Sequence, residues 1–391
     1  MTPRVLVYVQ HLLGIGHLKR ASLIVRRMAA SGLDVSVALG GRNVPGIDFT
    51  GCARIFLPPA HAADDTFATL IDEDGRPIDD AWRERRATRL LSEFAAFDPN
   101  VVMIELFPFG RRMFAFELLP LLAAARARPQ PPVIVCSLRD ILVHRPDATK
   151  NRKAVSLARS WFDRILVHGD ARLVPIEASF PEMADIAERL TYTGYVVEPP
   201  PEPAERGASP IGAGEVIVSV GGGAVGLPLL RAALAAKPLT RLAERTWRLI
   251  TGPNLADAAY DQLAWSPPPG VIVERWRPDL PAMLQSCAVS ISQAGYNTVM
   301  DVLQAGARAV FVPFAAGNET EQTLRAQILD ARGWAVSVDP AGLTAEILAA
   351  AVDKALTLKP PCVEIDRGGI TNTARIIGAL ARRARAGQGG S

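Results

Sequence analysis

Cysteine is scarce. The 391 residues hold four, Cys52, Cys136, Cys287 and Cys362, and they are too scattered to match any metal-ligand spacing. Three of them stand in or beside apolar stretches, which predicts reduced thiols of a cytosolic protein rather than a disulfide framework. Excess charge of one sign is also missing. Lys and Arg number 43 against 40 Asp and Glu, a net of +3, so the long-range pull on nucleic acid is weak and nucleic acid is not an expected partner. Nor is there an unbroken hydrophobic run of the roughly 20 residues that a membrane-spanning helix needs. The longest apolar region, 216–236, is interrupted by Gly221, Gly222, Gly223, Pro228 and Arg231. The apolar start of the chain stops at Gln10 without a small-residue cleavage site and reads as a first strand, not a signal peptide. Together these absences predict a cytoplasmic chain, at most peripheral to the inner face of a membrane.

What is present is the composition of a soluble globular chain, 49% apolar and 21% charged with both signs mixed. The length favours two domains over one core. Short β-branched runs at 5–9, 35–39, 101–104, 133–135 and 165–167 alternate with Ala/Leu/Arg stretches of helical period, the pattern of a parallel sheet with helical crossovers. The alternation stops at a Pro/Gly-rich linker, 196–214, and restarts with runs at 216–220, 249–250, 271–273, 289–291, 309–312 and 335–338. The expectation is α/β: a Rossmann-like domain over 1–195, a second over 215–370, and the two facing across a cleft. Ligands should lie at the carboxyl ends of the strands. Residues 371–391 form a helix able to cross back to the first domain, with a mobile tail.

Each half opens with a strand, a glycine turn and a helix. In the first, Gly14 and Gly16 of Leu13-Gly14-Ile15-Gly16-His17-Leu18-Lys19-Arg20 let the backbone approach a ligand. His17 falls on the first helical turn, where the dipole favours a neutral imidazole able to accept a proton. The plainer reading makes it a cap or core residue of a tight turn. In the second, Gly221, Gly222 and Gly223 leave main-chain N–H groups for phosphate oxygens, or simply pack a close turn.

A third stretch is the most specific: Trp276-Arg277-Pro278-Asp279-Leu280-Pro281, then Ser292-Gln293-Ala294-Gly295-Tyr296-Asn297-Thr298 through Asp301, Val312-Pro313-Phe314, and Glu321-Gln322. It resembles the nucleotide-sugar site of GT-B glycosyltransferases, in particular the bacterial family that includes the peptidoglycan N-acetylglucosaminyltransferase, with its family 28 C-terminal domain. It is more loosely similar to plant and antibiotic UDP-sugar transferases. The resemblance implies a GT-B fold and a donor site. Trp276 takes the position that stacks on uracil in the plant-type enzymes, the alternative being a core tryptophan. Gln293, Gly295, Asn297 and Thr298, at a helix start, would hold the diphosphate without a metal, together with the glycine turns at Gly16, Gly221, Gly222 and Gly223. Asp301 stands where the family has an acidic residue on the ribose hydroxyls, and is shorter than the usual Glu. Glu321 and Gln322 correspond to the pair that contacts the sugar, the alternative being a solvated helix face. Gly223-Ala224 depart from the Ser and Gln that the peptidoglycan enzyme carries after its two glycines.

Transfer also needs a base. The resemblance gives that role to His17, whose ordinary pKa of about 6.5 suits proton abstraction. Glu105, at the end of the 101–104 run, would hold the imidazole, or would instead pair with Arg111 or Arg112; Asp140 is an alternative partner or base. Two further signals have plain readings. Asp72-Glu73-Asp74 has a metal-binding form, but Gly75 and Pro77 mark it as a turn between short strands. The segment 107–116 joins aromatics to Arg111 and Arg112, a composition suited to an anionic membrane or an apolar acceptor, and equally to a helix start with core aromatics. The implied activity is inverting transfer from a nucleotide-sugar, UDP-linked first of all, to a hydroxyl acceptor, with no metal or other cofactor. The first turn also resembles that of nucleotide-sugar hydrolases. Hydrolase, epimerase and non-catalytic nucleotide-sugar binding protein stand as alternatives.

Overall fold

The computed structural model describes residues 2–12, 16–62, 69–143, 147–198, 211–222, 225–315, 320–361 and 364–386. The chain divides into two compact units, Met1–Val197 with Ile365–Ser391, and Glu198–Glu364. Gly14, Gly223, most of the linker and the C-terminal tail lie outside the described residues.

The first unit contains β1 (Arg4–Val9), β2 (Asp34–Leu39), β3 (Ala53–Phe56), a small antiparallel pair β4 (His61–Ala62) and β5 (Leu70–Ile71), then β6 (Val101–Glu105), β7 (Val133–Arg139), β8 (Arg164–His168) and β9 (Leu190–Tyr192). Its main sheet runs β3-β2-β1-β6-β7-β8-β9, with every pairing parallel. Helices α1 (Gly16–Ala30), α2 (Asp80–Phe97), α3 (Ala115–Arg126) and α4 (Ala148–Trp161) accompany it. Side chains alternate between two cores. Leu6, Tyr8, Val102 and Ile104 enter one, while Val5, Val7, Val9, Val101 and Met103 enter the other. Burial on both faces explains why these strands read as unbroken apolar runs.

A buried polar network fixes the exit of β1. Arg86 donates to Glu117 at 2.8 Å, to the Gln10 side-chain oxygen at 2.6 Å and to the Gly40 carbonyl at 2.8 Å, and Tyr8 donates to Glu117 at 2.5 Å. A Cβ at Gly40 would run into both Gln10 and Arg86, so this position has no room for a side chain. The Arg86–Glu117 pair is fully buried, and hydrogen bonds satisfy both partners.

The second unit repeats the plan with β10 (Val216–Ser219), β11 (Trp247–Ile250), β12 (Val271–Glu274), β13 (Val289–Ser292), β14 (Ala309–Phe311) and β15 (Val336–Ser337). They run β12-β11-β10-β13-β14-β15, again all parallel. Helices α5 (Leu227–Ala236), α6 (Asp257–Ala264), α7 (Leu280–Leu284), α8 (Tyr296–Ala305), α9 (Glu321–Ala331) and α10 (Ala345–Thr357) alternate with the strands. In both sheets the strand order reverses beside the first strand, between β1 and β6 and between β10 and β13. Such a reversal is where doubly wound sheets bind ligands.

The last helix, α11 (Gly369–Ala386), belongs to the first unit. Val196 and Gly368 form an antiparallel bridge, the Tyr195 N–H donates to the Asp366 carbonyl at 2.7 Å, and Asn372 donates to the Thr193 carbonyl at 2.9 Å. Ala374, Ile377 and Ala381 then join Ile24 and Met28 of α1 in one core. The hydrophobic contribution is carried by small and β-branched side chains on one stripe of α11, at helical spacing.

Two sequence readings resolve here. Asp72 accepts from the main-chain N–H groups of Asp74 and Arg76, at 3.0 and 2.9 Å, and Gly75 adopts φ 80°, so Asp72-Glu73-Asp74 is a turn. In 107–116, Phe107, Phe109 and Phe114 are buried in the core and Phe116 packs against it. Membrane contact through these aromatics is therefore not supported: the rings are already spent on packing. No helix among the described residues is long and apolar enough to cross a membrane.

Candidate active site

His17 is the second residue of α1, and Glu105 ends β6, the strand beside β1 at the sheet's reversal point. The two meet: His17 Nδ1 lies 2.9 Å from Glu105 Oε1. Arg20, one turn later on the same helix face, donates to the same Glu105 oxygen and approaches His17 Nδ1 at 3.0 Å. The imidazole is 15% exposed and the carboxylate 3%. With its proton on Nδ1, His17 donates to the Glu105 carboxylate, and Nε2 is then the nitrogen able to take a proton.

The electrostatics follow from this triangle. Burial lowers the His17 pKa from its usual value; Glu105 pulls it up, and Arg20 and Arg139 push it down again. Burial alone would raise the Glu105 pKa, but the His17 and Arg20 charges override it and bring it to about 2. At neutral pH the site therefore holds a neutral imidazole, an ionised carboxylate and a guanidinium that balances it. Sequence reasoning gave Arg20 no role. The signal was available in its i,i+3 spacing from His17, which puts both on one face of a helix.

Of the carboxylates considered as partners for His17, the structure pairs Glu105. Asp140, just after β7, is fully buried, with the Tyr195 hydroxyl 3.5 Å from its Oδ2. Its burial removes it from reach of an incoming hydroxyl. Arg111 donates to the Gln10 carbonyl at 2.8 Å, and its charge also lowers the Glu105 pKa; Arg112 donates to the Pro108 carbonyl at 3.2 Å. Behind Glu105, His168 joins Ser137 and Thr193, each at 2.9 Å, and burial holds its pKa down to about 3.

In the second unit, the predicted donor residues gather at the carboxyl ends of β10, β12 and β13. Gly221 has φ 55°, and the Gly222 carbonyl accepts from Asn254 at 2.9 Å. Gly295 is the N-cap of α8, so Asn297 and Thr298 occupy its first turn, Asn297 exposed and Thr298 half-buried. An ideal Cβ at Gly16, Gly221 or Gly295 would meet nothing within 4 Å, so each glycine faces open space. Gln293 follows β13 directly and is half-buried. Trp276, two residues after β12, is 65% exposed, which corrects the core-tryptophan alternative. Asp301 lies half-buried on α8.

Glu321 is 5% exposed at the start of α9 and pairs with Arg325 at 2.8 Å, so it does not stand on a solvated helix face. Arg325 in turn donates to the Ala294 carbonyl at 2.9 Å, tying α9 to the turn before α8. Gln322 accepts from the Phe314 N–H at 3.1 Å. Among the described residues no group of three or more His, Cys, Asp or Glu is arranged to hold a metal.

Residues 217–362 match the family described as "Glycosyltransferase family 28 C-terminal domain". The UDP-N-acetylglucosamine--N-acetylmuramyl-(pentapeptide) pyrophosphoryl-undecaprenol N-acetylglucosamine transferase of Rhodospirillum centenum is 33% identical over 101 residues, 25% of this chain and 27% of that protein. Its counterpart from Dichelobacter nodosus is 29% identical over 92 residues, 24% and 25% of the two chains. The chain thus spans about a quarter of the length of the curated relatives it matches. Among solved structures, the calicheamicin glycosyltransferase CalG4 aligns with a TM-score of 0.62 at 16% identity, over 100% of this chain and 98% of that one. MurG of Acinetobacter baumannii aligns with a TM-score of 0.59 at 16% identity, over 97% and 99%. The fold is therefore GT-B, and the second unit carries a domain of the glycosyltransferase family 28 C-terminal type.

Proposed function

We propose that this chain is an inverting glycosyltransferase that moves a sugar from a nucleotide-sugar, UDP-linked first of all, to a hydroxyl acceptor without a metal. The observation that carries the reading is the His17–Glu105 pair at the reversal point of the first sheet. Nε2 of His17 takes the acceptor's proton as the acceptor oxygen attacks the anomeric carbon, and the bond from that carbon to the diphosphate oxygen breaks. A single displacement of this kind inverts the centre. Charge developing on the diphosphate is met by main-chain N–H groups at the start of α8 and at Gly221 and Gly222, with Gln293, Asn297 and Thr298 as side-chain donors. Trp276 offers an exposed ring to the base, Asp301 a carboxylate to the ribose, and Gln322 its amide to the sugar; Glu321 contributes through Arg325 and the turn it braces.

Melting the protein with UDP-, dTDP- and GDP-sugars and their free nucleotides tests the donor half of this reading. A ligand at 100 times its Kd stabilises the fold by about 2.7 kcal/mol. A shift confined to one nucleotide class supports it; no shift with any of them removes it. The same His17 geometry would serve a hydrolase, with water as the acceptor. Release of the free sugar without added acceptor selects that second reading.

A further inference from the structure

Helices α1 and α11 pack together in one core, and neither contains an acidic residue. One carries Lys19, Arg20, Arg26 and Arg27, the other Arg375, Arg382, Arg383 and Arg385. In a chain with 43 basic and 40 acidic residues, this pairing concentrates one sign locally. Arg20 is balanced by Glu105, and Arg26 by Asp48 at 3.2 Å. Where the end of α1 meets α11, a groove of about 280 Å³ is lined by Arg27, Arg375 and Arg382, with Ser31, Thr371 and Gly378 among its walls. None of these three guanidinium groups has an acidic partner or a hydrogen bond among the described residues.

We propose that this groove is a binding site for a phosphate group. Three guanidinium groups without an acidic partner around one space offer paired N–H donors to a multiply charged oxyanion. Gly378 lies in the wall of the same groove, and the Arg382 guanidinium folds back over it, 3.2 and 3.3 Å from where an added Cβ would stand. At 1.5 Å rise per residue, Arg27 is about 15 Å along α1 from His17. The groove is thus separate from the base and does not depend on the transfer reading.

The phosphate could belong to a soluble ligand or to a lipid headgroup, and two measurements distinguish them. Calorimetric titration with inorganic pyrophosphate reads the first; co-sedimentation with phosphatidylglycerol vesicles, against phosphatidylcholine vesicles, reads the second. Wild type should bind in at least one, more weakly as salt rises. The variant R27Q/R375Q/R382Q should lose one pyrophosphate equivalent or at least tenfold in vesicle affinity, with its melting temperature kept because all three side chains are exposed. A control with equal charge loss on exposed α4, K150Q/R152Q/K153Q, should bind as wild type. Equal binding by wild type and the groove variant in both arms, or equal loss in the control, overturns the proposal.

Discussion

At the strand ends of the first unit, the polar groups are already joined to one another. His17 Nδ1, the Arg20 guanidinium and Glu105 Oε1 converge at one point, and burial keeps water from competing. At the corresponding ends of the second unit, Trp276 and Asn297 face outward, and Gly221 and Gly295 border open space. The exception there is Glu321 with Arg325, a buried pair one step removed from those groups. The difference teaches that strand ends of the same architecture can present their polar groups in two ways. Under the proposed function, the groups that hold a proton in a set place are joined before any ligand arrives, whereas Trp276, Asn297 and the glycine turns stay open to one. Substitutions at the first unit's triangle should therefore alter the free protein as well as the chemistry; those at the exposed positions of the second should be felt only with ligand present.

The largest effect should come from His17→Ala. Loss of a general base costs about 10²- to 10⁴-fold in turnover, so transfer should fall by that factor while nucleotide affinity, measured by calorimetry, stays near wild type. Retained turnover would remove His17 from the base position. Next is Glu105→Gln, read as stability. The Glu105 pKa is depressed from 4.5 to about 2, so its contribution is present above about pH 4.5 and is lost as pH falls toward 2. That difference corresponds to about 3 kcal/mol. The variant should lose stability at pH 6 and show a flatter decline between pH 4.5 and 2 in urea melts. An unchanged pH dependence would mean that Glu105 is not the ionised partner.

Trp276→Ala should give the converse pattern. Its ring is already in water, so the melting temperature of the free protein should not change. Loss of base stacking should weaken nucleotide binding by about 1–3 kcal/mol. Destabilised free protein, or unaltered nucleotide affinity, would break the contrast between the units.

The same contrast explains what could be read from the chain. Each predicted strand run falls on an observed strand, because a strand buried on both faces is written as a continuous apolar run such as Val5 to Val9. The strands missed were β3, β4 and β9, short elements at the sheet edge or in the small antiparallel pair, while β5 borders the turn expected at Asp72-Glu73-Asp74. In β3 only Ile55 is buried, so the sequence Ala53-Arg54-Ile55-Phe56 lacks the pattern of a core strand. At the candidate site, glycine turns and helix starts are local features and could be placed from spacing alone. Whether Glu105 or Asp140 meets His17 depends on which strand lies beside β1, a matter of strand order that no local pattern carries. The two readings of 107–116 could not be separated for a similar reason: aromatics beside arginines look alike whether they face a bilayer or a core.

The last prediction shifts a profile rather than removing an activity. Arg20 lowers the His17 pKa directly, and it also neutralises the Glu105 charge that would raise it. Removing the guanidinium in Arg20→Gln should thus raise the pKa on both counts. Because the base must be neutral to accept a proton, the acid limb of kcat/KM against pH should move to higher pH, with the value at high pH largely retained. Arg20→Lys, which keeps the charge, should leave the limb near its wild-type position. A purely structural role for Arg20 would instead lower the whole profile without moving its limb. A limb that moves with Arg20→Gln and stays with Arg20→Lys would assign to the charge on this residue the pH at which the imidazole is protonated, a setting made within the first unit.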